Sequence, residues 1–188
     1  MKIGLVPISA KPYHIGHHYL IETASVKNDK VIVFASTSDR KRKGEFPICG
    51  DTMRTIWQEE ILKIMPENVD VVFGGSPVRN VYEMIGDACD DLSALDSFTV
   101  YSDVVDTKMN YSIQNRKKYM EPLWSDNRVL FAAESMPESF IRGSGAPDVR
   151  AEDVRRHLKN KDFLSFSSCM PAELNSYACW SRLLKSSS

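Results

Sequence analysis

Two histidines that flank an isoleucine and a glycine form the part of this sequence best suited to chemistry. The segment His14-Ile15-Gly16-His17, here called the HIGH segment, follows a short apolar run and leads into residues with helical spacing. At such a strand-to-helix junction, free backbone N–H groups and the positive end of the helix dipole favour an anion. Imidazoles add donors that follow charge as it develops on phosphate oxygens. The HIGH segment therefore predicts a phosphate site with His14 and His17 as catalytic residues rather than ordinary loop residues, while His18 is predicted to lie on the helix surface.

Five short apolar runs predict the strands that position this segment. They are Lys2–Val6, Lys30–Ala35, Val69–Phe73, Ser97–Tyr101 and Arg128–Ala132. Near-continuous apolar runs are typical of parallel strands that are covered on both faces. The segments between them are long enough for crossover helices, which we predict over His18–Val26, Gly50–Met65 and Val78–Cys89. This alternation predicts an α/β fold, a Rossmann-like doubly wound sheet of about five parallel strands.

The last part of the chain is predicted to be helical. Helices are expected over Ala151–Leu158, over Asp162–Phe166 and from Pro171 to Leu184. We expect a single domain over residues 1–188, with a Rossmann-like core at 1–149 and a helical C-terminal part at 150–188. Ligands of such sheets bind beyond the carboxyl ends of the strands. The loops of interest are therefore Ser9–Gly16, Ser36–Gly50, Gly74–Pro77, Ser102–Tyr111 and Ala133–Val149.

Composition is that of an ordinary globular protein, with 43% hydrophobic and 26% charged residues and a formal net charge of −1. This balance indicates neither a nucleic-acid nor a membrane partner. The four cysteines are far apart in sequence, without the close spacing of a zinc or redox motif. Because no apolar run matches a signal peptide or a membrane span, we expect a cytoplasmic protein with reduced thiols. A homo-oligomer is left open.

The HIGH segment resembles the HxGH signature of the nucleotidylyltransferase superfamily, whose lead-in Ser9 and Pro12 match. Members of that family join a nucleoside monophosphate from ATP or CTP to a phosphate on a second substrate and release pyrophosphate. The resemblance implies that Ser9 and Gly16 bind the nucleotide. The lead-in departs from the family at Ile8, which replaces a glycine, and at Ala10, which replaces an aromatic residue.

A second family signature places hydroxyl residues and an arginine at the start of a helix after the fifth strand. The nearest match is residues 149–155, where Arg150 and Glu152 replace the hydroxyl residues and Arg155 fits the arginine. Arg142 and Ser144, which lie beside glycines just upstream, could replace the missing phosphate contacts. Which of Arg142, Ser144, Arg150 and Arg155 binds the nucleotide stays open, as does a solvated helix face for Arg155.

Two further basic positions follow other strands. Residues 39–44 form a charged loop that is either solvated or able to close over phosphates. Arg79 follows the turn Gly74-Gly75-Ser76-Pro77 and falls in the first turn of a helix, where an arginine opposes the helix dipole unless an anion lies nearby. Some adenylyltransferases bind triphosphate at this point. Arg79 is therefore predicted to bind the nucleotide, with a plain exposed arginine as the alternative.

These residues together predict in-line attack by a substrate phosphate on the α-phosphorus of a nucleoside triphosphate. His14 and His17 would stabilise the transition state, while Lys11 and the arginines would neutralise the leaving pyrophosphate. Mg²⁺ is expected to be held mainly by substrate phosphates, since no protein carboxylate cage is visible. We expect AMP transfer from ATP to a phosphorylated acceptor such as nicotinamide mononucleotide. The alternatives are a cytidylyltransferase that uses CTP and a phosphorylated alcohol, and a catalytically weak nucleotide-binding protein.

Overall fold

A computed structural model describes residues 1–90, 96–123, 127–140 and 145–187. Its centre is one five-stranded sheet in which every pair of neighbouring strands is parallel and the order is β3-β2-β1-β4-β5. The strands are β1 Lys2–Ile8, β2 Lys30–Ala35, β3 Val69–Phe73, β4 Ser97–Val100 and β5 Val129–Phe131. This confirms the predicted Rossmann-like sheet.

The strand order reverses at β1. The chain adds β2 and β3 on one side of β1 and then crosses to build β4 and β5 on the other side. The carboxyl ends of β1 and β4 therefore lie next to each other with a crevice between them, which is where doubly wound sheets bind ligands. The HIGH segment follows β1 directly, so the fold places it at this switch point.

Helices connect the strands and complete the C-terminal part. They are α1 Ile15–Lys27, α2 Gly50–Ile56, α3 Pro77–Cys89, α4 Val104–Asn110, α5 Ile113–Met120, α6 Ala132–Ser135, α7 Ala151–Lys159, α8 Phe163–Ser168 and α9 Ser176–Ser186. After α2 the chain continues through a π-helical turn, Trp57–Ile61, and a 3-10 turn, Leu62–Ile64. Another 3-10 turn spans Pro137–Phe140.

Several element boundaries differ from the sequence prediction. α1 begins at Ile15 and not at His18, and the last helix begins at Ser176 and not at Pro171. The predicted loop Ser102–Tyr111 contains α4, because the Asp103 carboxylate accepts from the backbone N–H of Asp106 and caps the helix. The predicted loop Ala133–Val149 likewise begins inside α6.

Two layers of apolar side chains cover the sheet. Because side chains alternate along a strand, Leu5 packs with α3 and α5 on one face while Val6 packs on the other face. That second layer includes Ile21 of α1, Phe166 of α8 and Trp180 of α9. The C-terminal helices therefore cover the same face as α1 and lie against the start of that helix. In the part of the chain that the structure describes, no helix has the length and apolar content needed to cross a membrane.

Candidate active site at the switch point

A cleft of about 220 Å³ lies at the crevice between β1 and β4. Its walls come from the β1–α1 turn, from the start of α4 and from the segment before α7. These walls include Ser9, Gly16 and His17, then Ser102, Asp103 and Asp106, then Phe140, Pro147 and Val149. The predicted site residues Ser9, Gly16 and His17 are thus brought together beside a polar wall and an apolar wall.

The two histidines of the HIGH segment cap α1 reciprocally. His14 is the N-cap residue, and its Nδ1 accepts from the backbone N–H of Gly16 at 3.0 Å. In return, the backbone N–H of His14 donates to Nδ1 of His17 at 3.1 Å. The two rings are stacked, with centroids 3.8 Å apart. Because both Nδ1 atoms act as acceptors, a neutral ring at either position carries its proton on Nε2, so each imidazole has an Nε2–H donor.

The backbone N–H groups at the start of α1 have protein partners, contrary to the expectation that they are free. The N–H of Ile15 donates to the carbonyl of Cys169 at 2.8 Å, and the N–H of Gly16 donates to His14. An anion at this helix start would therefore meet the helix dipole and imidazole donors instead of these two amides. The prediction missed this because Cys169 belongs to the C-terminal part of the chain.

The glycine of the HIGH segment makes room for an imidazole. A Cβ atom at position 16 would lie 2.8 Å from Cε1 and 2.9 Å from Nδ1 of His14. Both separations are shorter than any comfortable contact, so a side chain at this position would displace the ring. Gly16 also lines the cleft, but its first effect is to permit the His14 cap.

His18 is not a surface residue, and that prediction was wrong. Its side chain is 5% exposed, with Nδ1 2.8 Å from the Tyr13 hydroxyl and Nε2 2.9 Å from the Glu22 carboxylate. Burial lowers the pKa of His18, while the charges of Glu22 and Glu173 oppose that shift. The physical reason is that His18 lies one helical turn before Ile21 and two before Ala24, on the buried face of α1.

Lys11 lies beneath the HIGH segment and does not line the cleft. Its side chain is 3% exposed, and Nζ donates at 2.8 Å to the carbonyls of Ser9 and Ser36. Burial lowers the pKa of Lys11 to about 8, with a smaller opposing effect of Asp39. Lys11 thus ties together the chain segments that leave β1 and β2. Its predicted role at the pyrophosphate stays a prediction.

Arg155 reaches from α7 to the loop that leads into the HIGH segment, and its burial excludes the solvated helix face that was its alternative. Its side chain is buried, and Nη1 donates to the carbonyl of Lys11 at 2.7 Å. Nε lies 3.5 Å from a carboxylate oxygen of Glu45, which also accepts two hydrogen bonds from Arg40. Burial lowers the pKa of Arg155, and the nearby charge of Arg40 adds to that effect. The contact that the structure shows is therefore with the backbone of the loop Ser9–Gly16.

The other predicted arginines lie apart from these contacts. Arg150 stands at the N-cap position of α7 with an exposed side chain, and its N–H donates to Asp153 at 3.2 Å. Arg79 follows the outermost strand β3, is 78% exposed and pairs with Glu83 at 2.9 Å. That position favours the plain exposed arginine over the predicted ligand. Arg142 and Ser144 fall outside the described residues.

Two carboxylates in the cleft were not among the predicted site residues. Asp103 and Asp106 come from the start of α4, directly after β4. Burial and the charge of Asp103 raise the pKa of Asp106. Carboxylates here can accept hydrogen bonds from sugar hydroxyls or from exocyclic amines of a base. Their position after a strand beside the switch point was the available sequence signal.

Comparison with known proteins gave one match to the N-terminal part of the chain and one to its fold. The family model for the citrate lyase ligase C-terminal domain matches residues 3–50, which include β1, the HIGH segment and β2. Among solved structures, TmcAL of Thermotoga maritima bound with alpha-thio ATP has a TM-score of 0.52 and 16% identity. That match covers 99% of this chain but 56% of the TmcAL chain, so this protein spans little more than half of its structural neighbour. No curated protein sequence gave a match.

These matches confirm the resemblance that the HIGH segment indicated and the Rossmann-like fold. The family match covers only about a quarter of the chain. At 16% identity the structural likeness establishes the fold alone.

Proposed function

We propose that this protein is a nucleotidylyltransferase that transfers AMP from ATP to a phosphorylated acceptor, such as nicotinamide mononucleotide, and releases pyrophosphate. One observation carries the proposal. The reciprocal cap fixes the His17 imidazole in the wall of the switch-point cleft, with the His14 ring stacked against it and both Nδ1 atoms used as acceptors. This arrangement is suited to a substrate whose negative charge increases on phosphate oxygens during reaction.

The reaction needs positioning and charge stabilisation more than covalent catalysis. An oxygen of the acceptor phosphate forms a new bond to the α-phosphorus while the bond from the α-phosphorus to the β-phosphate oxygen breaks. The electron pair of the broken bond leaves with pyrophosphate. The Nε2–H groups of His14 and His17 would donate to the α- and β-phosphate oxygens as their charge grows.

The donor set of the cleft fits a metal that arrives with the nucleotide. Among the described residues, no three histidine, cysteine or acidic side chains come together as metal ligands. Asp103 and Asp106 are carboxylates that line the cleft. Mg²⁺ bound through phosphate oxygens would supply neutralisation of the triphosphate charge. The protein's own contribution is then the pair of imidazole donors and the shape of the cleft.

One observation supports ATP as the nucleotide. The structural neighbour was solved with an ATP analogue. The cleft is lined both by the carboxylates of Asp103 and Asp106 and by the apolar side chains of Phe140 and Pro147, a combination suited to a base with an exocyclic amine, as adenine and cytosine both have. Arg79 does not support this choice, because it lies on the exposed surface after β3.

The test is pyrophosphate release from each of the four NTPs with Mg²⁺ and a panel of acceptors. The panel holds nicotinamide mononucleotide, phosphopantetheine, phosphorylated alcohols and simple carboxylates, since in-line attack requires an anionic oxygen nucleophile. We expect release with ATP and a phosphorylated acceptor. Release with CTP alone would replace the proposal with a cytidylyltransferase. Bound ATP without any pyrophosphate would replace it with a nucleotide-binding protein.

The site assignment has its own control. His17→Ala should lower kcat on the order of 100-fold, as for the loss of a transition-state hydrogen-bond donor. His157→Ala is the matched variant, because His157 lies on α7 and does not line the cleft. Equal activity of these two variants would contradict the assignment of His17.

A further inference from the structure

The ring of His17 is held by more than its partner in the cap. It also stacks on Tyr13, with centroids 5.6 Å apart and ring planes 24° apart. Tyr13 is buried, and Trp57 of the π-helical turn meets its ring edge-on at a centroid distance of 5.1 Å. The position of the Tyr13 ring therefore limits the rotamers that are open to His17.

The hydroxyl of Tyr13 is fixed by a chain of hydrogen bonds that runs through the buried His18 to the exposed Glu22. It lies 2.8 Å from Nδ1 of His18, and Nε2 of His18 lies 2.9 Å from Glu22. The carboxylate of Glu22 accepts, so Nε2 of a neutral His18 carries the proton and Nδ1 accepts from the Tyr13 hydroxyl. Burial favours the neutral ring by lowering the pKa of His18. Donation then runs in one direction, from Tyr13 to His18 to Glu22.

We propose that Tyr13 and His18 are positioning residues for His17. Trp57 restrains one end of the Tyr13 side chain by contact, and His18 restrains the hydroxyl at the other end. Because the Tyr13 ring is restrained at both ends, His17 stacks on one face of that ring at a fixed angle. His17 then keeps Nδ1 on the backbone N–H of His14 and directs Nε2–H consistently. Released from this contact, the imidazole can rotate and place either nitrogen on the cap.

The first test reads the imidazoles directly and needs no activity. The chain has four histidines, so the side-chain ¹⁵N signals can be assigned by single substitutions. In the unaltered protein His17 should show an unprotonated Nδ1 and a protonated Nε2. Tyr13→Phe keeps the ring but removes its hydroxyl, and should move both His17 signals towards an average of the two tautomers.

The matched control is Tyr101→Phe. Tyr101 is also buried, and its hydroxyl accepts from the side chain of Asn28 at 2.9 Å. Asn28 caps the opposite end of α1, so this variant removes a comparable buried hydrogen bond far from the HIGH segment. Tyr101→Phe should leave the His17 signals unchanged at a similar loss of Tm. If Tyr13→Phe also leaves them unchanged, the positioning role is refuted.

The second test separates positioning from simple packing and rests on the proposed function. His18→Asn keeps an acceptor near the place of Nδ1, whereas His18→Leu removes it. We expect His18→Leu and Tyr13→Phe to lower kcat on the order of 10-fold with little change in KM, since displaced catalytic groups cost rate at constant binding. His18→Asn should recover most of the loss. Equal kcat in the asparagine and leucine variants would overturn the inference.

The two tests fail in different ways. A protein that transfers no nucleotide to any acceptor refutes the proposed function, and the ¹⁵N signals of His17 still decide the positioning role. An active protein in which Tyr13→Phe changes neither kcat nor the His17 signals refutes the positioning role alone.

Discussion

Gly16→Ala should separate activity from stability. The added methyl group would lie 2.8 Å from Cε1 of His14, so the imidazole must retreat by about 0.6 Å to reach ordinary van der Waals contact. That retreat breaks the hydrogen bond from the Gly16 N–H to Nδ1 of His14. Losing an N-cap contact costs about 1 kcal/mol. Alanine is favoured over glycine in a helix by about 1 kcal/mol, so the two effects nearly cancel in the free energy of unfolding.

The expected loss of activity is not offset in this way. Displacing a reacting group by a fraction of an ångström to 1 Å costs on the order of 10- to 100-fold in rate. We therefore expect kcat for pyrophosphate release to fall by about that factor while the urea midpoint stays nearly unchanged. Gly86→Ala in α3 is the control, because its Cβ would meet only the carbonyl of Tyr119 at an ordinary 3.5 Å. Wild-type kcat in Gly16→Ala would refute the proposed use of the His14 ring.

Three further substitutions test the frame around the site. Gly50→Ala should prevent stable folding, because its Cβ would lie 1.9 Å from the carbonyl oxygen of Thr37. The expected result is the loss of a cooperative thermal transition. A normal transition would contradict the backbone geometry of this turn. Since the pKa of Lys11 is lowered to about 8 in the folded protein, the unfolded chain binds more protons between about pH 8 and 10.5, and stability from this group rises with pH across that range. Urea unfolding at pH 8 and pH 10 should show that rise relative to Lys11→Met, and an identical pH dependence in both proteins would exclude it. Arg155→Ala should lower the free energy of unfolding by about 2 kcal/mol, because the Lys11 carbonyl loses its buried hydrogen-bond donor. The exposed Arg156→Ala should cost under about 0.5 kcal/mol. Similar losses of unfolding free energy in the two arginine variants would show that Arg155 does not stabilise the fold through this contact.

The strands could be predicted from sequence because their burial is encoded locally. Lys30–Ala35 and Val69–Phe73 match β2 and β3 residue for residue. An apolar run predicts a strand on its own, because both faces of a parallel sheet are covered. The location of the HIGH segment followed from the same runs, since a residue that follows β1 must lie at the carboxyl edge of the sheet.

The partners of the site residues could not be predicted, because they come from distant parts of the chain. Lys11 donates to the carbonyl of Ser36, 25 residues away, and accepts at its own carbonyl from Arg155, 144 residues away. No local pattern indicates such contacts. In the sequence, a lysine and an arginine near the HIGH segment look like phosphate ligands. Only the fold shows that both side chains donate hydrogen bonds to backbone carbonyls.

The spacing of the HIGH segment itself has a structural explanation. His14 and His17 stand at the N-cap and N3 positions of α1, the pair whose side chains reach each other's backbone in a capping box. Sequence rules for that box look for serine or threonine followed three residues later by glutamate or glutamine, so an imidazole pair escapes them. A cap at His14 starts α1 at Ile15, and His18 then lies one turn before Ile21 on the buried face of the helix. The same geometry explains why the separation is three residues, since a different spacing would leave at least one Nδ1 without its backbone donor and its ring without a fixed direction.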